Sequence, residues 1–200
     1  MLHVLFLITM TGTPQETSAP QAPIKYELIL AQDGGLPLDS KDKLPVLIGP
    51  ATAETILKHR PEFRDAYAKL QIAPELIKRW EAIETPCTLV VVFGSWCGDS
   101  HHWVPSLIKL SETPNPFISI HWIGTYRDKT TEQSDWPTQV TPQKTEKVPT
   151  FWLFTPIPGG KTKLAGSIVE NPPKTDQTMA EALLELLESE RFNFVKQHAE

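Results

Sequence analysis

Cys97 stands in a setting that suits covalent chemistry. It follows a continuous apolar run and precedes an amphipathic stretch, so we expect it where a buried strand turns into a helix. The free N–H groups and the dipole at a helix N-terminus stabilise a thiolate, which is the nucleophilic form of cysteine. The flanking Trp96 and Gly98 favour this interpretation over the ordinary one, a small buried hydrophobic residue. Cys97 is therefore the candidate nucleophile, with Trp96 a candidate for an apolar rim around its sulfur.

Two polar residues in the turn after Cys97 have more than one interpretation. Asp99 is either a first-turn carboxylate favoured by the helix dipole or a charge that opposes the thiolate. His101 lies one helical turn after Cys97, where its protonated ring favours the thiolate and its neutral ring is able to join Cys97 in binding a metal. Two ligands do not make a metal site, and no third is identifiable in the sequence. We therefore predict no metal site, with His101 and His102 as solvated residues on a helix.

The hydrophobic pattern predicts the elements that position Cys97. Residues 88–93 (TLVVVF) form a continuous β-branched run, which is typical of a strand buried on both faces. An amphipathic helix follows Cys97 and ends near Ser111, and residues 117–124 (FISIHWIG) predict a second strand. Parallel strands need a crossover, which the helix supplies, so 88–124 is predicted as a βαβ unit.

Further strands are predicted downstream of the βαβ unit. Residues 151–154 and 164–169 have the composition of strands, and the turn residues at 157–160 indicate a hairpin between them. A last helix is predicted to begin near Thr178, with Glu181 placed to form a capping box.

Three other segments complete the predicted architecture. Residues 24–31 predict a strand, and residues 52–83 show a helical period that prolines interrupt. Residues 125–147 are polar without an apolar period and predict a long surface loop. The predicted fold is α/β, with a mixed central sheet flanked by helices and an N-terminal helical extension.

Composition excludes several classes of protein. The net charge of -5, from 19 basic and 24 acidic residues, provides no basic surface for nucleic acid. Nineteen prolines are inconsistent with a long coiled coil. Two cysteines are too few for a disulfide framework or a cysteine-only zinc site.

The chain divides into four predicted parts. Residues 1–23 hold a possible signal and linker, since the apolar run 2–10 is too short to span a membrane and no lysine or arginine precedes it. The protein is accordingly expected in the cytoplasm or, if this segment is a signal, in the periplasm. Residues 24–85 form the extension, 86–190 the main domain and 191–200 a C-terminal tail.

Four ordered motifs resemble the thioredoxin superfamily. Residues 93–100 (FGSWCGDS) resemble its active-site run, and Pro105 matches the proline that kinks its active-site helix. Val148-Pro149-Thr150 resembles its cis-proline loop, and Gly166 stands where the family has a glycine. The resemblance covers about residues 86–190. Within the superfamily, the sequence is most similar to bacterial thioredoxin-like proteins with a WCGDS-type site.

This resemblance implies a thioredoxin-like fold and thiol–disulfide exchange at Cys97. It also implies that Pro149 is cis and that the backbone of Val148 pairs with an extended substrate. The implied substrate-binding residues are Trp96, Gly98, Asp99, Val148, Pro149 and Thr150. Arg127 follows the second parallel strand at the edge that holds Cys97, where it is able to contact an anionic group such as glutathione, unless it is simply solvated.

The sequence departs from the family pattern at two positions. Ser100 replaces the second cysteine, and its hydroxyl is able to hydrogen-bond a thiolate but not to resolve a mixed disulfide. Val91 stands where thioredoxins place a buried aspartate that assists proton transfer. Cys87 is no substitute, because at about 3.3 Å per strand residue it lies at least about 20 Å from Cys97, too far for a disulfide.

These features predict a monothiol exchange protein with Cys97 and Ser100 as its catalytic residues. Its mixed disulfide would be resolved by an external thiol such as glutathione, its partners would be thiols and disulfides of proteins or glutathione, and it would need no cofactor. One alternative is a redox-inactive binding module that uses Pro149 and the 125–147 segment. Another is a metal or iron–sulfur carrier, although the tryptophan before Cys97 and Pro105 favour the thioredoxin branch.

Overall fold

A five-stranded mixed sheet forms the centre of the computed structural model, which describes residues 36–197 of the chain and side chains up to residue 189. The predicted signal, linker and first strand, all within residues 1–31, lie outside the described residues. The sheet has the strand order β1-β3-β2-β4-β5. Its strands are β1 Gly49–Ala51, β2 Cys87–Phe93, β3 Ile118–Gly124, β4 Thr150–Ile157 and β5 Lys161–Val169.

The predicted βαβ unit and hairpin are both present. β2 and β3 are parallel, with Cys87 opposite Ile118, and helix α4 (Gly98–Leu110, with Pro105 inside it) connects them. In this chain-order numbering, α4 is the helix that follows Cys97. β4 and β5 are antiparallel neighbours, and β4 also pairs antiparallel with β2. β1 was not predicted, because three residues are too few for a visible alternation.

Helices also form where the periodicity predicts them. The stretch 52–83 folds as three helices, because Pro61 and Pro74 each begin a new one at its first turn. Thr178 and Glu181 make the predicted capping box, in which the carboxylate accepts the Thr178 N–H at 2.8 Å. The helix bounds are α1 Ala53–His59, α2 Pro61–Lys69, α3 Pro74–Glu81 and α5 Met179–Gln197. α5 continues beyond residue 190, so the backbone does not change character at the predicted boundary of the tail.

The two faces of the sheet are covered differently. Leu89, Val91 and Phe93 of β2 belong to a core cluster that holds buried apolar residues of all five described helices, and we call it the helical core cluster. Val90 and Val92 face the other way, into a smaller cluster. The helices named above therefore pack against one face.

The smaller cluster corrects the prediction of a surface loop at 125–147. Trp136 and Val140 of this segment are 4% and 2% exposed and pack on Val90 and Val92. The segment contains only a short 3-10 helix, Gln133–Asp135, among its described elements. Its apolar residues lack a period because irregular backbone, and not a helix, places them on the sheet. None of the described helices combines the length and apolar character needed to cross a membrane.

Candidate functional site

Cys97 lies at the junction between β2 and α4. The chain leaves β2 at Phe93 and turns, with the Cys97 N–H donating to the Gly94 carbonyl at 2.9 Å. Cys97 is the N-cap residue of α4, and its side chain makes no capping hydrogen bond. The first-turn N–H groups of a helix have no partners within that helix, and such groups favour negative charge at the helix N-terminus. The side chain is half-buried.

The loop before β4 meets the sulfur of Cys97. The thiol donates a hydrogen bond to the Val148 carbonyl oxygen at 3.2 Å, and the Val148–Pro149 peptide bond is cis. The Thr150 hydroxyl donates to the Lys147 carbonyl at 2.7 Å, which closes this loop on itself. The structure thus places Val148 next to Cys97, with its carbonyl engaged by the thiol, and Pro149 and Thr150 follow it in the chain; all three are buried.

The exposed surface beside the sulfur consists of other residues. Gly98 and Asp99 are exposed at the start of α4, and Lys147 is exposed on the loop that approaches it. Lys147 forms an ion pair with Glu170 at 2.6 Å. The hydrogen bond that Lys147 donates to the Glu170 carboxylate raises the pKa of Lys147, and the charge of Asp99 adds to this effect. Sequence reasoning missed Lys147, because only the fold brings its charge near Asp99.

The hydroxyl of Ser100 accepts a hydrogen bond from the turn that precedes Cys97. Its side chain is fully buried, and its oxygen accepts the Gly94 N–H at 3.2 Å. This bond fixes the turn between β2 and α4. Ser100 therefore supports the loop that carries Cys97.

His101 is not a solvated residue as predicted. Its Nε2 lies 2.8 Å from the Ser95 carbonyl oxygen, and its ring packs edge-on against Phe63 with centroids 4.7 Å apart. His102 is exposed, with its ring against Trp103. Within residues 36–189, no group of three or more His, Cys, Asp or Glu side chains is arranged to hold a metal ion.

Trp96 is held by contacts with the neighbouring loop. Its indole Nε1 donates to the Thr125 carbonyl oxygen at 2.9 Å. Its ring lies so close to Gly94 that a Cβ there would sit 2.7 Å from Cε2. The half-buried Trp96 thus forms part of the apolar surroundings of Cys97, in the smaller core cluster. Trp103 of α4 packs against the helical core cluster.

Arg127 forms an ion pair within the chain, while its side chain remains 25% exposed, and its contact with an anionic ligand stays a prediction. Its Nε and one terminal nitrogen donate to the carboxylate of Asp39 at 2.5 and 2.6 Å. The guanidinium holds the pKa of Asp39 well below its usual value, and the same hydrogen bonds raise the pKa of Arg127. Its central carbon lies 4.5 Å from the centroid of the Trp96 ring. The sequence offers no signal for Asp39, which is 88 residues away.

Cys87 and Val91 occupy structural positions in β2. Cys87 begins the strand, at the end remote from Cys97, and burial raises the pKa of its thiol to about 12. Val91 is fully buried in the helical core cluster, where it offers no group for proton transfer. A cleft of about 820 Å³ lies at the Cys87 end of the sheet, lined in part by Phe117 and Thr162. Its lining contains none of the residues around Cys97.

Comparisons with known proteins support the assignment of the fold. A family model described as thioredoxin matches residues 50–183, which includes helices that the sequence analysis placed in the extension. A crystal structure of a protein of unknown function from Pseudomonas aeruginosa is similar, with a TM-score of 0.51 and 17% identity over 73% of this chain and 94% of that one. An HIV epitope scaffold gives a TM-score of 0.50 and 18% identity over 72% and 94%. No curated protein matches the chain.

Proposed function

The chain belongs to the thioredoxin family, and on this premise we propose that it performs monothiol thiol–disulfide exchange at Cys97. The observation that carries the proposal is the position of Cys97 as the N-cap of α4, half-buried and without a capping bond of its own. The uncapped first turn is suited to a thiolate, which is the attacking species in exchange. The exposed Gly98 and Asp99 leave one side of the sulfur open to a substrate.

The first step forms a mixed disulfide. The Cys97 thiol releases its proton to water, and the thiolate attacks one sulfur of a substrate disulfide. The new bond joins Cys97 to that sulfur, while the other substrate sulfur leaves as a thiolate and takes up a proton. Loss of the thiol proton also removes the donor to Val148, whose carbonyl then becomes free to accept a hydrogen bond from an extended substrate.

The second step needs a thiol from outside the chain. Ser100 provides a hydroxyl where thioredoxins carry their second cysteine, and a hydroxyl does not displace a disulfide sulfur. An external thiolate, of which glutathione is the expected source, attacks the substrate sulfur of the mixed disulfide. Cys97 leaves as a thiolate, and the substrate departs as a disulfide with the external thiol. No net electrons are transferred to or from the protein over the cycle.

The experiment is adduct formation followed by release. The reduced chain is incubated with glutathione disulfide, and we expect one glutathione on Cys97 by peptide mass spectrometry, removed again by excess reduced glutathione. Cys97→Ser abolishes the adduct, while the matched control Cys87→Ser retains it, because Cys87 is buried and its thiol has a raised pKa. A wild-type chain that forms no adduct contradicts the proposal.

A second candidate function is a peptide-binding module without exchange. The observation that favours it is the pair of departures at Ser100 and Val91, both fully buried, of which the first provides no second sulfur and the second no group for proton transfer. Under this function the wild-type chain forms no adduct, and Cys97→Ser binds the same peptides as the wild type. Peptide-array binding by the two proteins, measured beside the adduct assay, separates the two candidates.

A further inference from the structure

We propose that Asp39 and Arg127 are positioning residues of the exchange site, which hold the Trp96 indole in place beside Cys97. The proposal rests on the exchange function proposed above, because it assigns these residues a role in the same reaction. It also extends the site to a segment that precedes every predicted element of the main domain.

The first step of the argument is the geometry of the ion pair. The Asp39 carboxylate is fully buried, and both of its oxygens accept hydrogen bonds from Arg127, at 2.5 and 2.6 Å. A bidentate pair of this kind fixes the plane of the guanidinium, since two parallel bonds leave it no freedom to rotate. A single surface ion pair would not have this effect.

The second step is the contact between the guanidinium and the indole. The central carbon of Arg127 lies 4.5 Å from the ring centroid of Trp96, within the range of a cation–π interaction. The indole is also bound through Nε1 to the Thr125 carbonyl and lies against Gly94. Trp96 precedes Cys97 directly, so an indole fixed by these contacts also fixes the backbone at the sulfur.

The third step concerns what holds Asp39 itself. We call residues 37–46 the anchor loop; it is closed by backbone bonds of 2.8 Å from Val46 to Pro37 and from Asp39 to Leu44. A second ion pair of the same loop, between Asp42 and Arg60 at 2.7 Å, ties it to the start of α2. The Tyr126 hydroxyl donates to the Leu38 carbonyl at 3.1 Å. Asp39 therefore stands on a loop fixed at two sides.

A role in stability alone accounts poorly for this arrangement. Burying a carboxylate and a guanidinium costs desolvation energy that their attraction only balances, and apolar residues often stabilise such places equally well. What an apolar pair lacks is the ability to direct a planar cation onto an indole. The directional contact is the property that a positioning role requires.

The test compares two bidentate ion pairs of the chain. Asp39→Asn and Arg127→Lys each break the pair beside Trp96 and keep the size of the side chain. Glu188→Gln breaks the bidentate pair with Arg79, which joins α3 and α5 with both bonds at 2.8 Å, and serves as the matched control. Each protein is measured for the rate of exchange with a glutathionylated peptide and for the indole N–H resonance of Trp96, assigned with Trp96→Phe. Thermal unfolding of each variant shows that it is folded.

We expect the exchange rate to fall roughly 10-fold in Asp39→Asn and Arg127→Lys, because small displacements of a reacting group carry penalties of this order. The Trp96 resonance shifts in both, and the control changes neither quantity. The double variant is no slower than either single one, since both remove the same contact. If Asp39→Asn does not fold, Arg127→Lys, whose cation remains but has no planar fork, provides the test alone.

Unchanged rate and resonance in Arg127→Lys would overturn the proposal. A shifted resonance with an unchanged rate would also overturn it, because the contact would then be structural only. The wild-type chain is measured first. If it shows no exchange, the proposed function itself is contradicted, and this outcome is distinct from any effect of the variants.

Discussion

At the scale of single residues, the hydroxyl of Ser100 lies inside the protein and accepts the Gly94 N–H at 3.2 Å. A cysteine at this position would stand three residues after Cys97 on the same helix, where side chains are about 5–6 Å apart at Cβ and a disulfide is within reach. We expect Ser100→Cys to lose the mass of two hydrogen atoms on mild oxidation, as a disulfide with Cys97 forms. Its reduced dithiol form should reduce insulin, with dithiothreitol regenerating the dithiol after each cycle.

Ser100→Ala is the matched control for this change. It removes the hydroxyl without adding sulfur, so it gains no insulin reduction. Its free energy of unfolding falls by about 1–3 kcal/mol, because the buried Gly94 N–H is left without an acceptor. A Ser100→Cys chain that remains a dithiol under mild oxidation would show that the two side chains diverge.

Cys87 gives a prediction of pH dependence. Burial raises the pKa of its thiol from 9.0 to about 12, so the native state keeps a proton that the unfolded chain releases. The contribution of the protonated Cys87 thiol to the free energy of unfolding is fully present below about pH 9 and is lost as the pH rises towards 12. We expect urea unfolding between these values to show a smaller loss of stability in Cys87→Val than in wild type.

Alkylation provides an independent check on Cys87. Iodoacetamide labels the half-buried Cys97 in the native chain and reaches Cys87 only after unfolding in urea. Equal labelling of both thiols in the native chain would contradict the burial of Cys87.

At the scale of elements, β3 ends against the backbone that leads into β1. A Cβ on Gly124 would lie 2.5 Å from the Leu47 carbonyl oxygen, a contact with backbone that no side-chain rotation relieves. We expect Gly124→Ala to lower the free energy of unfolding by about 1–3 kcal/mol, as overpacked sites do. The control is Gly98→Ala, where nothing lies within 4 Å and alanine suits a helix better than glycine. Equal stabilities for the two variants, measured by urea unfolding, would contradict the close approach.

The elements that carry a period were predictable, and those without one were not. The apolar run of β2 and the spacing of Phe63 and Tyr67 follow from side-chain burial on regular backbone. Trp136 and Asp39 follow from no local pattern, because irregular backbone places the first and a partner 88 residues away holds the second. For the site, sequence predicted the place of Cys97 at the start of a helix but not the partners of Ser100 and Arg127.

At the scale of the whole molecule, the segment before β2 is part of the same structure as the site. Phe63 of α2 is fully buried and packs edge-on against Phe93, the last residue of β2, with centroids 6.0 Å apart. The same ring contacts His101 of α4, whose Nε2 is bound to the Ser95 carbonyl. One core cluster holds the buried apolar residues of α1 to α3 together with those on the helix-covered face of the sheet, so among the described residues α1 to α3 have no core separate from the sheet.

This shared core predicts that the described part of the chain unfolds in one transition. Circular dichroism and tryptophan fluorescence, followed against urea, should give the same midpoint. Phe63→Ala should move both midpoints together and lower stability by about 3–5 kcal/mol, the usual cost of emptying a buried phenylalanine site. The control is Glu62→Ala, which changes an exposed neighbour on the same helix. A separate transition at low urea, shifted alone by Phe63→Ala, would show that α1 to α3 form a unit of their own and would detach the anchor loop from the site.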